Sequence, residues 1–284
     1  MDWFTGMQRA ITYIEENIGS ELDYQQIAAK AYSSSYHFQR TFSVMTGYTL
    51  VEYIRYRRLT LAGMDMMATD EKVIDIAAKY GYESPDSFTR AFCKFHGITP
   101  SAAREPGAVL RSFAPLKIVL EGGSMMNYRI ETKPAMTFLG HKQRCSGAPT
   151  NPEVKKRETF VHWTTSRSYQ RTMKALRREP NVWYDVYTDF TDEGFDHCIA
   201  VISDQDAAFG LEQISIPESL YAVFETERRE SPDEEWLPLI KRIVFEWLPS
   251  SGYILAEKPQ INRVVMAEKP DERYMEIWIP IEKA

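Results

Sequence analysis

The sequence predicts a multidomain chain, with an N-terminal all-α part built as a double helix-turn-helix and a C-terminal α+β part of two similar β-α-β-β-type halves. Three observations carry this. The block Ile27-Ala28-Ala29-Lys30 returns 49 residues later as Ile76-Ala77-Ala78-Lys79, and Phe38, Arg40, Phe42, Gly47 and Thr49 return at an offset of 50 as Phe88, Arg90, Phe92, Gly97 and Thr99. Beyond Met125 the apolar pattern changes from helical spacing to runs rich in β-branched and aromatic residues. At 284 residues and 44% hydrophobic the chain has apolar material for about two cores. The expected division is 1–107 for the helical part, 108–124 for a linker and 125–284 for the α+β part.

In the first copy, Leu22, Ile27, Ala28 and Ala31 share a helical face, Ser33-Ser34-Ser35 offers N-cap chemistry, and Phe38, Thr41, Phe42 and Met45 mark a second helix that stops at Gly47. In the second copy, Ile74, Ala77 and Ala78 form the first helix. Gly81-Tyr82-Glu83 makes the turn, and Ser84 with Pro85 opens a helix that buries Phe88, Ala91, Phe92 and Phe95 and closes at Gly97. Between the copies, Leu50 to about Ala68 lacks proline and reads as one long helix. In such a pattern the second helix of each unit enters the major groove of DNA, so one chain reaches two successive groove segments, about 10 base pairs apart.

The net charge of −6 excludes attraction to polyanions through bulk charge, so DNA binding has to rest on local charge. From Tyr24 to Val51 there is no acid, and residues 24–64 carry Lys30, Arg40, Arg55, Arg57 and Arg58 against Glu52 alone. Residues 65–112 are near balance, so the first unit is expected to dominate affinity.

Residues 105–124, with Pro106, Gly107, Pro115, Gly122 and Gly123, read as a linker with one short strand at Leu116–Leu120. Strands are expected at Asn127–Glu131, Ala135–Cys145, Cys198–Ser203, Leu220–Arg228, Asn262–Met266 and Arg273–Pro280, with helices near Pro152–Leu176 and Asp233–Trp247. Alternation in the last strand sets Tyr274, Glu276 and Trp278 on one face and the core residues Met275, Ile277 and Ile279 on the other. A carboxylate between aromatic rings suits a flat, greasy ligand with a cationic or polar edge. A glutamate that merely pairs with a lysine or arginine is the competing explanation.

Roughly residues 8–104 resemble the AraC-type DNA-binding domain, close to its Rob, MarA and SoxS branch. The resemblance rests on Ser35-Tyr36-His37-Phe38-Gln39-Arg40-Thr41-Phe42, Glu52-Tyr53-Ile54-Arg55-Tyr56-Arg57-Arg58-Leu59, and Ile76-Ala77 through Gly97-Ile98-Thr99-Pro100. It implies that Ser35, Tyr36, Gln39 and Arg40 on the first recognition helix, and Asp86, Thr89 and Arg90 on the second, face the groove. Arg55 and Arg57 are candidate phosphate contacts. Asp86 stands where relatives often carry an amide, and Ala103 where they carry an aromatic, which implies a loosely packed last helix. Residues from Met125 on resemble the GyrI-like effector-binding domain, on Met126-Asn127-Tyr128-Arg129-Ile130, Ile216-Pro217, Tyr221-Ala222-Val223-Phe224, Glu246 through Tyr253 and Glu276-Ile277-Trp278-Ile279-Pro280. That resemblance implies a groove for lipophilic or amphipathic compounds, with Trp163, Tyr221, Tyr253, Tyr274, Glu276 and Trp278 as its candidates. Asn262 replaces a glutamate common in relatives, which implies a weaker preference for cations.

No phosphate-binding loop, nucleophile elbow or His-Glu-x-x-His motif occurs, and no cofactor or metal is implied. His141 with Cys145 and His197 beside Cys198 lack a second pair at zinc spacing, and three scattered cysteines build no disulfide framework. No stretch approaches the roughly 18 apolar residues of a membrane span, and the expected location is cytoplasmic. The expected function is a sequence-specific transcription regulator whose second domain senses a small lipophilic or cationic aromatic compound, with double-stranded DNA, that effector and RNA polymerase as partners. Two alternatives remain: a hydrolase of reactive xenobiotics using Glu276 with Tyr253, and a second domain that binds a protein partner.

Overall fold

Helix α1 (Trp3–Glu16) buries Met7, Ala10, Ile11 and Ile14, a stripe at helical spacing. Helix α2 (Tyr24–Lys30) begins at Asp23, whose carboxylate accepts from the Gln25 N–H at 2.8 Å. Helix α3 (Ser35–Thr46) is capped by Ser34, whose Oγ accepts from the His37 N–H, and it stops at Gly47, where φ is +76°. Helix α4 runs Leu50–Ala68, the span its uninterrupted pattern predicts. Helices α5 (Val73–Lys79) and α6 (Pro85–His96) form the second unit. Ser84 caps α6 by accepting from the Ser87 N–H, Pro85 supplies its first turn, and Gly97 ends it in the left-handed conformation.

The computed structural model describes residues 3–117, 126–151, 165–206 and 210–283. Its contacts divide into two compact units, residues 1–38 with 50–119, and residues 39–49 with 120–284. In the first, Leu59, Ala62 and Met66 of α4 pack with Ile76, Ala77 and Tyr80, and with Phe88 and Phe92 of α6. Ala103 joins this cluster at 1% exposure, so the small residue is fully packed in a short 3₁₀ turn, Ala102–Arg104, rather than loosely held. Arg104 fastens that turn by donating to the carbonyls of Thr69 and Glu71.

Part of the expected linker is bound to this unit. Phe113 lies against the rings of Tyr53 and Tyr56, its N–H donates to Thr60 Oγ1 at 2.9 Å, and its carbonyl accepts from Arg57 at 2.6 Å. Leu116 and Lys117 form no strand, and the rest of the strand expected at Leu116–Leu120 lies outside the described residues.

His96 is buried beside this core. Its Nε2 lies 2.9 Å from the Leu59 carbonyl while its buried Nδ1 has no partner among the described residues. Protonation would add a buried donor with nothing to accept it, and burial accordingly lowers the imidazole below its ordinary 6.5. A folded value below the unfolded one means that the stability is full above pH 6.5 and is lost as pH falls through the folded value. Thermal melts from pH 7.5 down to 5 are expected to show a falling midpoint for the first unit. His96→Gln, which keeps a donor for Leu59, should flatten that slope, and an unchanged slope would place the acid sensitivity elsewhere.

In the second unit, β1 (Tyr128–Lys133), β2 (Met136–Ser146), α7 (Arg167–Leu176), β3 (Val182–Thr188), β4 (Gly194–Ile202) and β5 (Glu212–Ile216) are followed by β6 (Ser219–Glu225), α8 (Trp236–Arg242), β7 (Tyr253–Leu255), β8 (Gln260–Val265) and β9 (Tyr274–Lys283). The strands make one antiparallel sheet in the order β1-β6-β9-β8-β3-β4-β2-β5, with β7 on β9. Read inward from either edge the pattern repeats: β2-α7-β3-β4 on one side answers β6-α8-β8-β9 on the other. The halves meet at β3 and β8, where Asp185 stands opposite Asn262.

Three of these strands, β3, β5 and β7, are absent from the sequence expectation. α8 starts later than expected because Pro232 opens a 3₁₀ turn, Pro232–Glu235, and it continues into a π-helical segment, Ile243–Trp247. Of the helix expected at Pro152–Leu176, residues 152–164 lie outside the described residues. One sheet face buries Phe138, Tyr184, Val186, Tyr221, Val223, Ile261 and Trp278. On the other face, Leu139 and Val201 pack under Tyr169, Met173 and Leu176 of α7. Gly140 sits where β2 and β4 approach closely, since a Cβ there would stand 2.1 Å from the Ile199 carbonyl.

Candidate DNA-reading helices and effector cavity

On α6 the apolar residues Phe88 and Phe92 point inward, which leaves Asp86 and Arg90 exposed and Thr89 half-buried on the outer side. Ser35, Tyr36 and Gln39 on α3 are half-buried. Arg40 is placed differently from the expectation. It is 3% exposed, its Nη1 donates to the carbonyls of Ala256 and Lys258 at 3.1 and 3.2 Å within the second compact unit, and its guanidinium lies over the Phe190 ring at 4.5 Å. In this arrangement Arg40 Nη1 is engaged by two protein carbonyls.

Arg55 on α4 is exposed, its guanidinium over the Tyr56 ring. Arg57 is a correction. At 6% exposure it makes a fork-shaped pair with Glu15, Nε and Nη2 donating at 2.9 and 2.8 Å, and gives Nη1 to the Phe113 carbonyl. Its charge is neutralised inside the fold, because a helix that carries Arg55, Arg57 and Arg58 cannot turn all three outward; Arg58 likewise caps the carbonyls of Ile18 and Ser20.

The second unit has a cavity of about 790 Å³ on the α7 side of the sheet. Tyr169 and Met173 of α7, Trp183 and Tyr187 of β3, Phe195 and Ile199 of β4 and Met275 of β9 give it an aromatic and aliphatic lining. Among the polar residues of the lining, Asp185 and His197 are paired on adjacent strands: His197 Nε2 lies 3.3 Å from Asp185 Oδ1, and the imidazole stacks on Tyr187 at 4.8 Å. The Tyr187 phenol, held well above its ordinary value by burial and then by the Asp185 charge, accepts from Asn262 Nδ2 at 3.4 Å. Trp236 of α8 also stacks on the Tyr187 ring, at 6.3 Å.

Of the ligand candidates read from the sequence, Trp163 lies outside the described residues, and the others are not among the residues that line this cavity. Tyr221 and Trp278 belong to the buried cluster on the opposite face. Glu276, on that face too, accepts from Arg129 and from Trp278 Nε1 at 2.9 Å, with Arg263 at 4.0 Å. Tyr274 receives a hydrogen bond from Arg263, and Arg228 lies over its ring. Strand alternation separates the two faces correctly but carries no information on which face is hollow. Tyr253 stacks on Trp247 and pairs in register with Lys283, while Glu276 pairs with Glu225 and Arg263, so the glutamate–tyrosine couple of the hydrolase alternative is not assembled. His197 and Cys198 point to opposite faces, which excludes a shared metal; burial pushes the Cys198 thiol up to about 12. Asp185 escaped the sequence reading because β3 did, and His197, read there only beside Cys198, falls just before the strand expected at Cys198–Ser203.

A chain that couples two helix-turn-helix units to an α+β unit with an aromatic-lined cavity has the build of a one-component regulator. It belongs to the family of GyrI-like small molecule binding domains, matched over residues 126–282, and residues 27–106 match a helix-turn-helix domain of the AraC type. It is an AraC-type DNA-binding transcription regulator with a GyrI-like small-molecule-binding domain. The transposon Tn10 TetD protein of Escherichia coli is 39% identical over 100 residues, which covers 35% of this chain and 72% of TetD. The regulatory protein SoxS of Escherichia coli K12 is 38% identical over 98 residues, 34% of this chain and 92% of SoxS. A putative bacterial transcription regulation protein from Staphylococcus aureus MU50 superposes with a TM-score of 0.43 at 16% identity, covering 56% of this chain and 99% of that one. No helix among the described residues is long and apolar enough to cross a membrane.

Proposed function

We propose that the 790 Å³ cavity is the effector site and that the effector is a compact, largely apolar aromatic compound. The observation that carries this is the lining itself: rings from α7, β3 and β4 converge on one cavity in the unit that belongs to a small-molecule-binding family. DNA is read by Asp86, Thr89 and Arg90 on α6 and by Ser35, Tyr36, Gln39 and Arg40 on α3, in two adjacent major-groove segments. Arg55 contacts phosphate, and RNA polymerase is the protein partner. For Arg40 to read a base it exchanges two carbonyl acceptors for base acceptors, a like-for-like exchange. The effector shifts regulation only through its different affinity for the DNA-competent and DNA-incompetent arrangements. Sensing is favoured over hydrolysis by the separation of Glu276 from Tyr253.

Trp fluorescence titration with lipophilic aromatic compounds tests the sensor: saturable quenching without product formation supports it, and turnover supports the hydrolase. For the reader, Arg90→Ala is expected to cost about 1–3 kcal/mol on the specific site and to relax preference at one base pair. Equal loss on specific and random DNA in a gel-shift series would reduce Arg90 to a phosphate contact.

A further inference from the structure

We propose that the chain holds its first DNA-reading helix shut: Thr150, Phe190 and the loop 256–258 latch the outer side of α3, and α6 stays open to DNA while residues 39–49 await release. The inference rests on the reading that α3 and α6 are the DNA-reading helices. The two are copies at an offset of 50, so each serves as the control for the other. On α6, Asp86, Arg90 and Lys94 stand four residues apart on one side, and all three are exposed. Their counterparts on α3 are Tyr36, Arg40 and Val44. Tyr36 is half-buried, and Arg40 and Val44 are buried. Thr49, beyond the helix, is buried as well, where its counterpart Thr99 is exposed. The covered side is also written in the sequence, because α3 carries an aromatic and an aliphatic residue where α6 carries an aspartate and a lysine.

The cover lies within the second compact unit, to which residues 39–49 belong. Thr150, itself buried, points its hydroxyl at the carbonyls of Ser43 and Val44, 3.0 and 3.1 Å away, near the C-terminal end of α3. Phe190, on the connection between β3 and β4, turns its ring to the Arg40 guanidinium, and that ring is held in place by stacking on Phe195 of β4. The Ala256 and Lys258 carbonyls that engage Arg40 Nη1 sit on a loop fixed at both ends. The Ala256 N–H donates to the Pro280 carbonyl, and the Pro259 carbonyl accepts from the Tyr221 hydroxyl. A guanine offers an arginine two acceptors, O6 and N7, on its major-groove edge. The loop holds two acceptors in place before DNA arrives, and preorganised partners bind at lower cost. Base and loop therefore compete for one guanidinium, and a side chain this deeply covered reaches a base edge after the loop lets it go. The apparent affinity for DNA is then the intrinsic affinity scaled by the fraction of unlatched molecules.

The test is a mutant cycle on the full chain. The latch is opened by Thr150→Val together with Phe190→Ala, or with Phe190→Leu should the alanine variant not fold; neither residue has been placed in the groove or in the cavity lining. The probe is a duplex of about 30 base pairs, long enough for two successive groove segments, selected from a random pool with the double variant and titrated by gel shift at one salt concentration. The double variant is expected to bind this duplex at least about fivefold more tightly than the wild type. Arg40→Ala is expected to weaken the double variant about tenfold and the wild-type chain less than about twofold, since a latched arginine has no base contact to lose. Equal loss in the two backgrounds, or a double variant that binds no more tightly than the wild type, overturns the latch. Arg90→Ala separates this failure from failure of the reading beneath it. If Arg90→Ala costs affinity while Arg40→Ala acts equally in both backgrounds, the helices read DNA and the latch falls; if neither arginine matters in either background, the assignment of the reading helices falls with it.

Discussion

Glu15→Ala is expected to lower the stability of the first unit by about 3–5 kcal/mol, the cost of removing one partner from a buried ion pair. Glu15 accepts from Arg57 through two donors and from the Tyr53 hydroxyl at 2.6 Å, and both of those residues are buried. Without the carboxylate, the buried guanidinium keeps the Phe113 carbonyl and the phenol keeps the Leu116 N–H, and both lose their charged acceptor. The Tyr53 phenol, now pushed up by burial and by Glu15, should titrate lower in the variant. Calorimetry should show the corresponding transition fall by on the order of 10–20 °C. Glu15→Gln, which keeps an acceptor for Tyr53, should fall between the two. A loss below about 1 kcal/mol would mean that Arg57 finds water once Glu15 is gone, and would return it to the set of surface arginines open to DNA phosphate.

Glu276→Ala is expected to destabilise the second unit by about 2–4 kcal/mol and to leave ligand affinity nearly unchanged. The range is reduced from that of a fully buried pair because the Arg129 side chain is 40% exposed and can be rehydrated. The buried Trp278 N–H cannot, and it loses its acceptor. Urea unfolding followed by Trp fluorescence measures the first effect, and probe titration the second. A variant as stable as the wild type that fails to bind a cationic probe would restore Glu276 to the ligand site that strand alternation alone suggests.

The helical half of the fold was legible because each element announces its own limits. Ser84-Pro85 and Gly97 bracket α6, and the proline-free run from Leu50 to Ala68 coincides with α4. Burial of individual polar groups was not legible. Nothing local to Arg57 separates it from Arg55, and only the placement of Glu15, far off in sequence, decides that one is inside and the other outside. The α+β half lost the strand that matters most. β3 is apolar on both faces, Val182, Tyr184 and Val186 on one and Trp183 and Tyr187 on the other, so the alternation that reveals a half-exposed strand is muted and Asp185 is its one strong mark. With β3 unread, the carboxylate beside His197 had no face to belong to. Glu276 was conspicuous by contrast, because its neighbours are aromatic, yet the arginines that occupy it come from β1 and β8.

The π-helical segment at Ile243–Trp247 determines what one stem can carry. Residues spaced as Trp236 and Trp247 are would, on an unbroken α-helix, point in nearly the same direction, within about 20°. Here Trp236 stacks on Tyr187 at the sheet centre, whereas Trp247 lodges among Tyr128, Phe224 and Tyr253 near the β1 edge. The wider turn acts as an inserted residue that rotates everything after it. Two ring systems at different places on the sheet thereby share a single helix, and deleting one residue between Ile243 and Trp247 would force the protein to give up one of them.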